Sequence, residues 1–120
     1  MKKLIPFIAV TLLMGTSLVQ AHPLPRNTIP KPNAVLTTSP TEIRMEFSEG
    51  LVAAFSGLEV DDQSGKAVET GDATLDPNDN KELIVPIKVK LAPGTYTVKW
   101  HAVGTDTHHV SGHYSFQVKM

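Results

Sequence analysis

The chain has 120 residues, 41% of them hydrophobic and 19% charged, with 11 basic and 12 acidic side chains and no cysteine. That length supports one core and one small domain. The near-neutral charge, without an Arg/Lys cluster, excludes a sequence-independent phosphate-binding face, so nucleic acid is not an expected partner. At the amino end, Lys2 and Lys3 precede an apolar run from Leu4 to Met14, and small or uncharged residues close at Val19-Gln20-Ala21. The pattern is that of a cleavable secretory signal over residues 1–21. A membrane anchor is the competing reading, but the stretch from Leu4 to Val19 falls short of the roughly 20 residues needed to span a bilayer. Cleavage after Ala21 leaves an exported chain, residues 22–120, that begins at His22 and does not cross the membrane. It carries 9 basic and 12 acidic side chains, a net charge of −3, and keeps all five histidines. A mildly acidic exported domain suits metal cations better than anions. With no disulfide available, it must be held by its core.

In chain order, Arg26 to Pro40 is rich in proline and polar residues and reads as an extended leading segment with turns. Ile43, Met45 and Phe47 alternate with Arg44 and Glu46, which predicts a half-buried strand with Met45 in the core. Short strands are expected at about Gly57–Val60, Ala67–Leu75 and Glu82–Val89, separated by Ser64-Gly65-Lys66 and by Asp76-Pro77-Asn78-Asp79-Asn80. Pro86 lacks an N–H, so its strand is expected at a sheet edge or to carry a bulge. After Pro93-Gly94, Tyr96, Val98, Trp100 and Ala102 alternate with polar residues, and Val110, Tyr114, Phe116 and Val118 repeat the pattern. A hairpin centred near Thr107 would pair Trp100 with Tyr114 and Val98 with Phe116 on the core face, and His101 with His113 on the other. About seven short strands with turns every 8 to 12 residues give an all-β fold, an immunoglobulin-like Greek-key β-sandwich or barrel. No repeat or second domain interrupts residues 22–120.

The informative cluster is His108, His109 and His113 beside Asp106. In extended backbone, Asp106 and His108 point the same way and could share a cation. A solvated turn capped by Asp106 is the plain alternative. A first-position His22 adds weight to the metal reading, because its α-amino nitrogen and imidazole Nδ1 form a chelate of the kind favoured by Cu(II). With Asp106 and His108 it would offer three nitrogens and one oxygen, a set that suits Cu(II) better than Zn(II).

These residues resemble the CopC-type periplasmic copper resistance proteins. The resemblance runs through His22-Pro23, Ile43-Arg44-Met45-Glu46-Phe47-Ser48-Glu49, Phe55-Ser56-Gly57, Leu91-Ala92-Pro93-Gly94-Thr95-Tyr96, Trp100 and Asp106-Thr107-His108. It implies a β-sandwich that binds one Cu(II) per chain through His22, Asp106 and His108, with Glu49 as a nearby acidic residue. It further implies a periplasmic carrier or buffer in copper homeostasis and resistance, exchanging copper with an inner-membrane copper transporter. Some members add a Met-rich Cu(I) loop, but the corresponding region, Asp61 to Asn80, has neither methionine nor histidine. His109 stands where many relatives have proline, and His101 and His113 read as extra imidazoles on a polar face. No enzymatic activity is expected. The alternatives are a copper-dependent oxidase built on an N-terminal histidine brace and a metal-independent sandwich for adhesion or scaffolding. The first needs a flat substrate face and an open axial position, and the second predicts no dependence on copper. A Ser-His-Asp hydrolase is not supported, since no Gly-x-Ser-x-Gly or related nucleophile turn occurs.

Overall fold

The computed structural model describes residues 22–120; the signal segment expected at 1–21 lies outside them. Nearly all regular structure is extended, as the period-two patterns require. Eight strands follow in order: β1 Pro25–Ile29, β2 Val35–Leu36, β3 Glu42–Phe47, β4 Gly57–Asp61, β5 Thr74–Asp76, β6 Asp79–Pro86, β7 Gly94–Val103 and β8 His109–Val118, with a single 3-10 turn at Ala53–Phe55. They form two four-stranded sheets, β1-β3-β6-β5 and β2-β8-β7-β4. This is the expected β-sandwich.

The alternating residues determine which faces meet. Ile43, Met45 and Phe47 of β3, with Leu83 and Val85 of β6, are buried against Val60, Tyr96, Val98, Ala102, Tyr114, Phe116 and Val118 of the second sheet. Met45 is fully buried, as its strand pattern predicts. Tyr96 and Phe116 stack with ring centroids 5.6 Å apart, and the Tyr96 hydroxyl donates to the Ala92 carbonyl at 2.6 Å, so the one polar atom on that ring is satisfied.

The leading segment is extended with turns, as expected, and its extended pieces pair as β1 with β3 and, in parallel, β2 with β8. Three local expectations are corrected. The strand expected over Ala67–Leu75 shrinks to Thr74–Asp76, with isolated bridges at Ala67 and Thr70. Pro86 marks neither an edge nor a bulge: β6 is interior, between β3 and β5, and Pro86 is its last residue, where a missing donor costs no interior ladder bond. The β7–β8 hairpin is centred one position earlier than expected, pairing Val98 with Tyr114, Tyr96 with Phe116, Trp100 with Gly112 and His101 with Ser111. Moving the centre by one residue shifts each partner by two, so every side chain keeps its face.

That register explains Gly112. The Trp100 indole lies directly over it, and a Cβ there would come within 2.6 Å of Trp100 Cζ2 and 3.0 Å of Cε2. Trp100 is held in turn by Phe47, edge to face with centroids 5.5 Å apart. Gly112→Ala should therefore overpack the sandwich and lower its stability by about 1–3 kcal/mol, read as an earlier urea midpoint with an unchanged slope. An unshifted midpoint would mean that Trp100 can move aside freely.

Candidate metal centre

The loop between β7 and β8 is a closed turn. The Gly104 N–H donates to the His108 carbonyl at 2.9 Å, and the Thr107 N–H donates to the Gly104 carbonyl at 2.8 Å. Thr107 pays for this closure with a left-handed φ of 75°, uncommon for a β-branched residue. Within the turn, Asp106 Oδ1 accepts the backbone N–H of His108 at 3.3 Å, and Asp106 Oδ2 lies 3.0 Å from His108 Nδ1. The sequence spacing thus brings Asp106 and His108 together, but by a tight turn rather than by strand alternation. The imidazole contact first, and the backbone N–H second, hold the Asp106 carboxyl below the usual carboxylate range. Its ionised form therefore favours the ordered turn at neutral pH, and that contribution is lost as pH falls through the lowered value.

A second segment reaches this loop from the other end of the chain. Pro23 is fully buried, with its ring against Gly104: a Cβ on Gly104 would lie 3.4 Å from Pro23 Cδ. Ser48, just past β3, ties the segment down. Its hydroxyl donates to the His22 carbonyl at 3.2 Å and accepts from the Leu24 N–H at 2.9 Å, and its own N–H donates to the Leu24 carbonyl at 2.8 Å. The His22 and His108 rings consequently meet edge to face, with centroids 5.2 Å apart and planes at 71°. His22 Nδ1 is buried and has no hydrogen-bond partner among the described residues. A buried polar nitrogen of this kind carries a desolvation cost that a ligand would relieve.

His22, Asp106 and His108 are therefore neighbours, although as they stand no three His, Asp or Glu side chains among the described residues converge on a common metal position. The Asp106 carboxylate is turned onto His108 Nδ1, which leaves Nε2 as that ring's nitrogen for a metal. Glu49 is half-buried between Ser48 and Gly50, whose carbonyl accepts the Thr105 N–H at 3.0 Å, so its backbone borders both arms of the site. His101, His109 and His113 are exposed on β7 and β8, and His101 faces Ser111, not His113. Sequence reasoning missed Ser48 and Gly104. The pairing of residue 48 with residue 22, and of residue 104 with residue 23, is a long-range contact that no local spacing encodes.

Residues 26–119 match the CopC domain family. The chain is 40% identical to Protein YobA of Escherichia coli strain K12 over 110 residues, covering 92% of this chain and 89% of that protein. Among solved structures, CopC from Methylosinus trichosporium OB3b superposes with a TM-score of 0.77 at 28% identity, over 82% of this chain and 94% of that one. PcoC, a methionine-rich copper resistance protein from Escherichia coli, superposes with a TM-score of 0.75 at 32% identity, over 82% of this chain and all of that one.

Gly104 offers a test of the geometry. An added Cβ would sit 2.9 Å from Asp106 Oδ1, and the carboxylate is the flexible partner that must give way. Gly104→Ala should detach Asp106 from His108 while the sandwich stays folded, so the Asp106 carboxyl should titrate at higher pH, back toward the ordinary range, in a carbon-detected NMR titration. An unchanged titration would show that Gly104 does not control the carboxylate.

Proposed function

We propose a copper-carrying role from one premise: the chain belongs to the CopC family. In this reading it is a periplasmic copper-binding protein of copper resistance and homeostasis. It holds one Cu(II) per chain through His22, Asp106 and His108, and carries or buffers the ion for exchange with an inner-membrane copper transporter. Residues 1–21 direct export and are removed, which frees the His22 α-amine. No described helix is long and apolar enough to cross a membrane.

The observation that carries the proposal is the buried, unpartnered Nδ1 of His22 beside the His108 ring. With a free α-amine, that nitrogen completes a chelate from a single residue, and His108 supplies a second imidazole. Nitrogen-rich sets of this kind favour Cu(II) in a tetragonal arrangement. Asp106 acts in one of two ways: it turns from His108 to ligate the metal, or it keeps its 3.0 Å contact and orients the ring, as carboxylates beside metal-binding histidines commonly do. Where Asp106 ligates, it takes a position that an oxygen-activating centre would need open, and we assign the site to carriage and not to catalysis.

The chemistry also favours the oxidised ion. Soft Cu(I) prefers thiolate or thioether sulfur. Among the described residues the methionines are Met45, fully buried in the core, and Met120, exposed beyond β8. The region between Asp61 and Asn80 adds none. Any Cu(I) affinity must then come from imidazoles.

The test uses the amine. A chain that retains one residue before His22 should bind Cu(II) at least about tenfold more weakly than one beginning at His22, about 1.4 kcal/mol, measured by competition with a chelator of known affinity. Equal affinity of the two forms would contradict the proposed ligand set.

A further inference from the structure

The outer face of the second sheet holds a feature that the proposed copper site does not use. The β7–β8 register sets His101 opposite Ser111, so His109 and His113, two residues to either side of Ser111, are both diagonal neighbours of His101 on one face, and of the two it is His109 that shares a hollow with it. Such neighbours lie about 7–8 Å apart along the backbone, within joint reach of one ion bound at about 2.0–2.1 Å from each imidazole. Both line the same open hollow of about 560 Å³, together with Ala54, Phe55 and Ser111. Both rings are exposed and reachable by a cation from solvent. Phe55, 64% exposed, forms an apolar wall on the 3-10 turn.

The His101 ring lies over Gly57 of β4, where a Cβ would meet its Cε1 at 3.2 Å, so the exposed ring must swing toward β8 to share an ion with His109. One further detail favours a ligand there. The nearest lysine on this face, Lys99, has its Nζ 2.8 Å from the buried Asp61 carboxylate, which draws its charge away from the imidazoles. No carboxylate lines the hollow. Its donors are therefore two imidazole nitrogens and the Ser111 hydroxyl, a set that suits imidazole-preferring transition metals and not the oxygen-seeking Ca²⁺ or Mg²⁺.

We propose that His101 and His109 form a second, weaker binding site for a borderline transition-metal cation such as Cu(II), with Ser111 and water completing its coordination. The site does not depend on His22, and stands or falls separately from the function proposed above. Its position is suggestive of use, because His109 directly follows His108 and Val103 directly precedes Gly104. An ion held in the hollow would sit against the same strand ends that carry the first site. Such a station would hold copper loosely next to the place where it is held tightly.

The experiment is calorimetric titration with Cu(II) of the folded chain beginning at His22, compared with His101→Gln, His109→Gln, His113→Gln and His108→Gln, each checked for native circular dichroism. The unsubstituted chain should show a tight phase and a second phase at least tenfold weaker. His101→Gln and His109→Gln should each lose the weak phase and keep the tight one, His113→Gln should keep both, and His108→Gln should weaken only the tight phase. Having two variants guards against a folding failure in one. A weak phase that survives both substitutions, or one that His113→Gln reduces equally, would overturn the proposal by showing no defined site or indiscriminate imidazole binding. Loss of the tight phase alone in the unsubstituted chain would count against the His22 site while leaving this one standing.

Discussion

Pro23 is fully buried, and the backbone it packs against is Gly104, the residue that opens the β7–β8 turn. That contact, with the three hydrogen bonds that Ser48 makes to His22 and Leu24, holds the residues ahead of β1 against the β7–β8 loop. The imidazoles of His22 and His108 face one another because a proline ring and a glycine backbone fit closely behind them. The candidate site is thus a consequence of packing at the end of the sandwich, and its proposed ligands are brought near one another by residues that have no metal chemistry of their own.

The two sheets supply the rigidity this requires. β7 and β8 pair continuously from Gly94 with Val118 to Val103 with His109, and the turn between them is closed by the Gly104–His108 and Gly104–Thr107 hydrogen bonds. Leu51 bridges to Gly104 and the Gly50 carbonyl takes the Thr105 N–H, which joins the turn to the chain leaving β3. His108 therefore sits on a short, doubly anchored loop, the kind of rigid support that keeps a binding geometry defined. The same anchoring aims His109 away from His108, onto the outer face, so adjacent residues serve different surfaces.

Much of this is legible in the sequence, for reasons that differ by element. Alternation at Ile43–Phe47, Tyr96–Ala102 and Val110–Val118 reports burial directly, so the sandwich and its inward residues follow from it. The register of the hairpin does not, because a two-residue shift preserves the alternation, and only the conformation of Thr107 and the close approach of Trp100 to Gly112 select between the two. Asp106 and His108 stand out by composition, yet the expectation of an extended spacing misjudges how they meet. Weak strands such as Thr74–Asp76 are set by their neighbours and leave little local signal. Ser48 stands within the motif that carries the family resemblance and Gly104 in none of them, and the roles of both exist only once residues distant in the chain are in contact.

The central claim is that one Cu(II) is held by the His22 amine and imidazole together with His108. Electron paramagnetic resonance of the chain beginning at His22, labelled with ¹⁵N and loaded with less than one equivalent of Cu(II), reads the donor set directly. The account predicts three coupled nitrogen donors, two imidazoles and one amine, in a tetragonal spectrum. A spectrum with imidazole donors only, and no amine nitrogen, would contradict it.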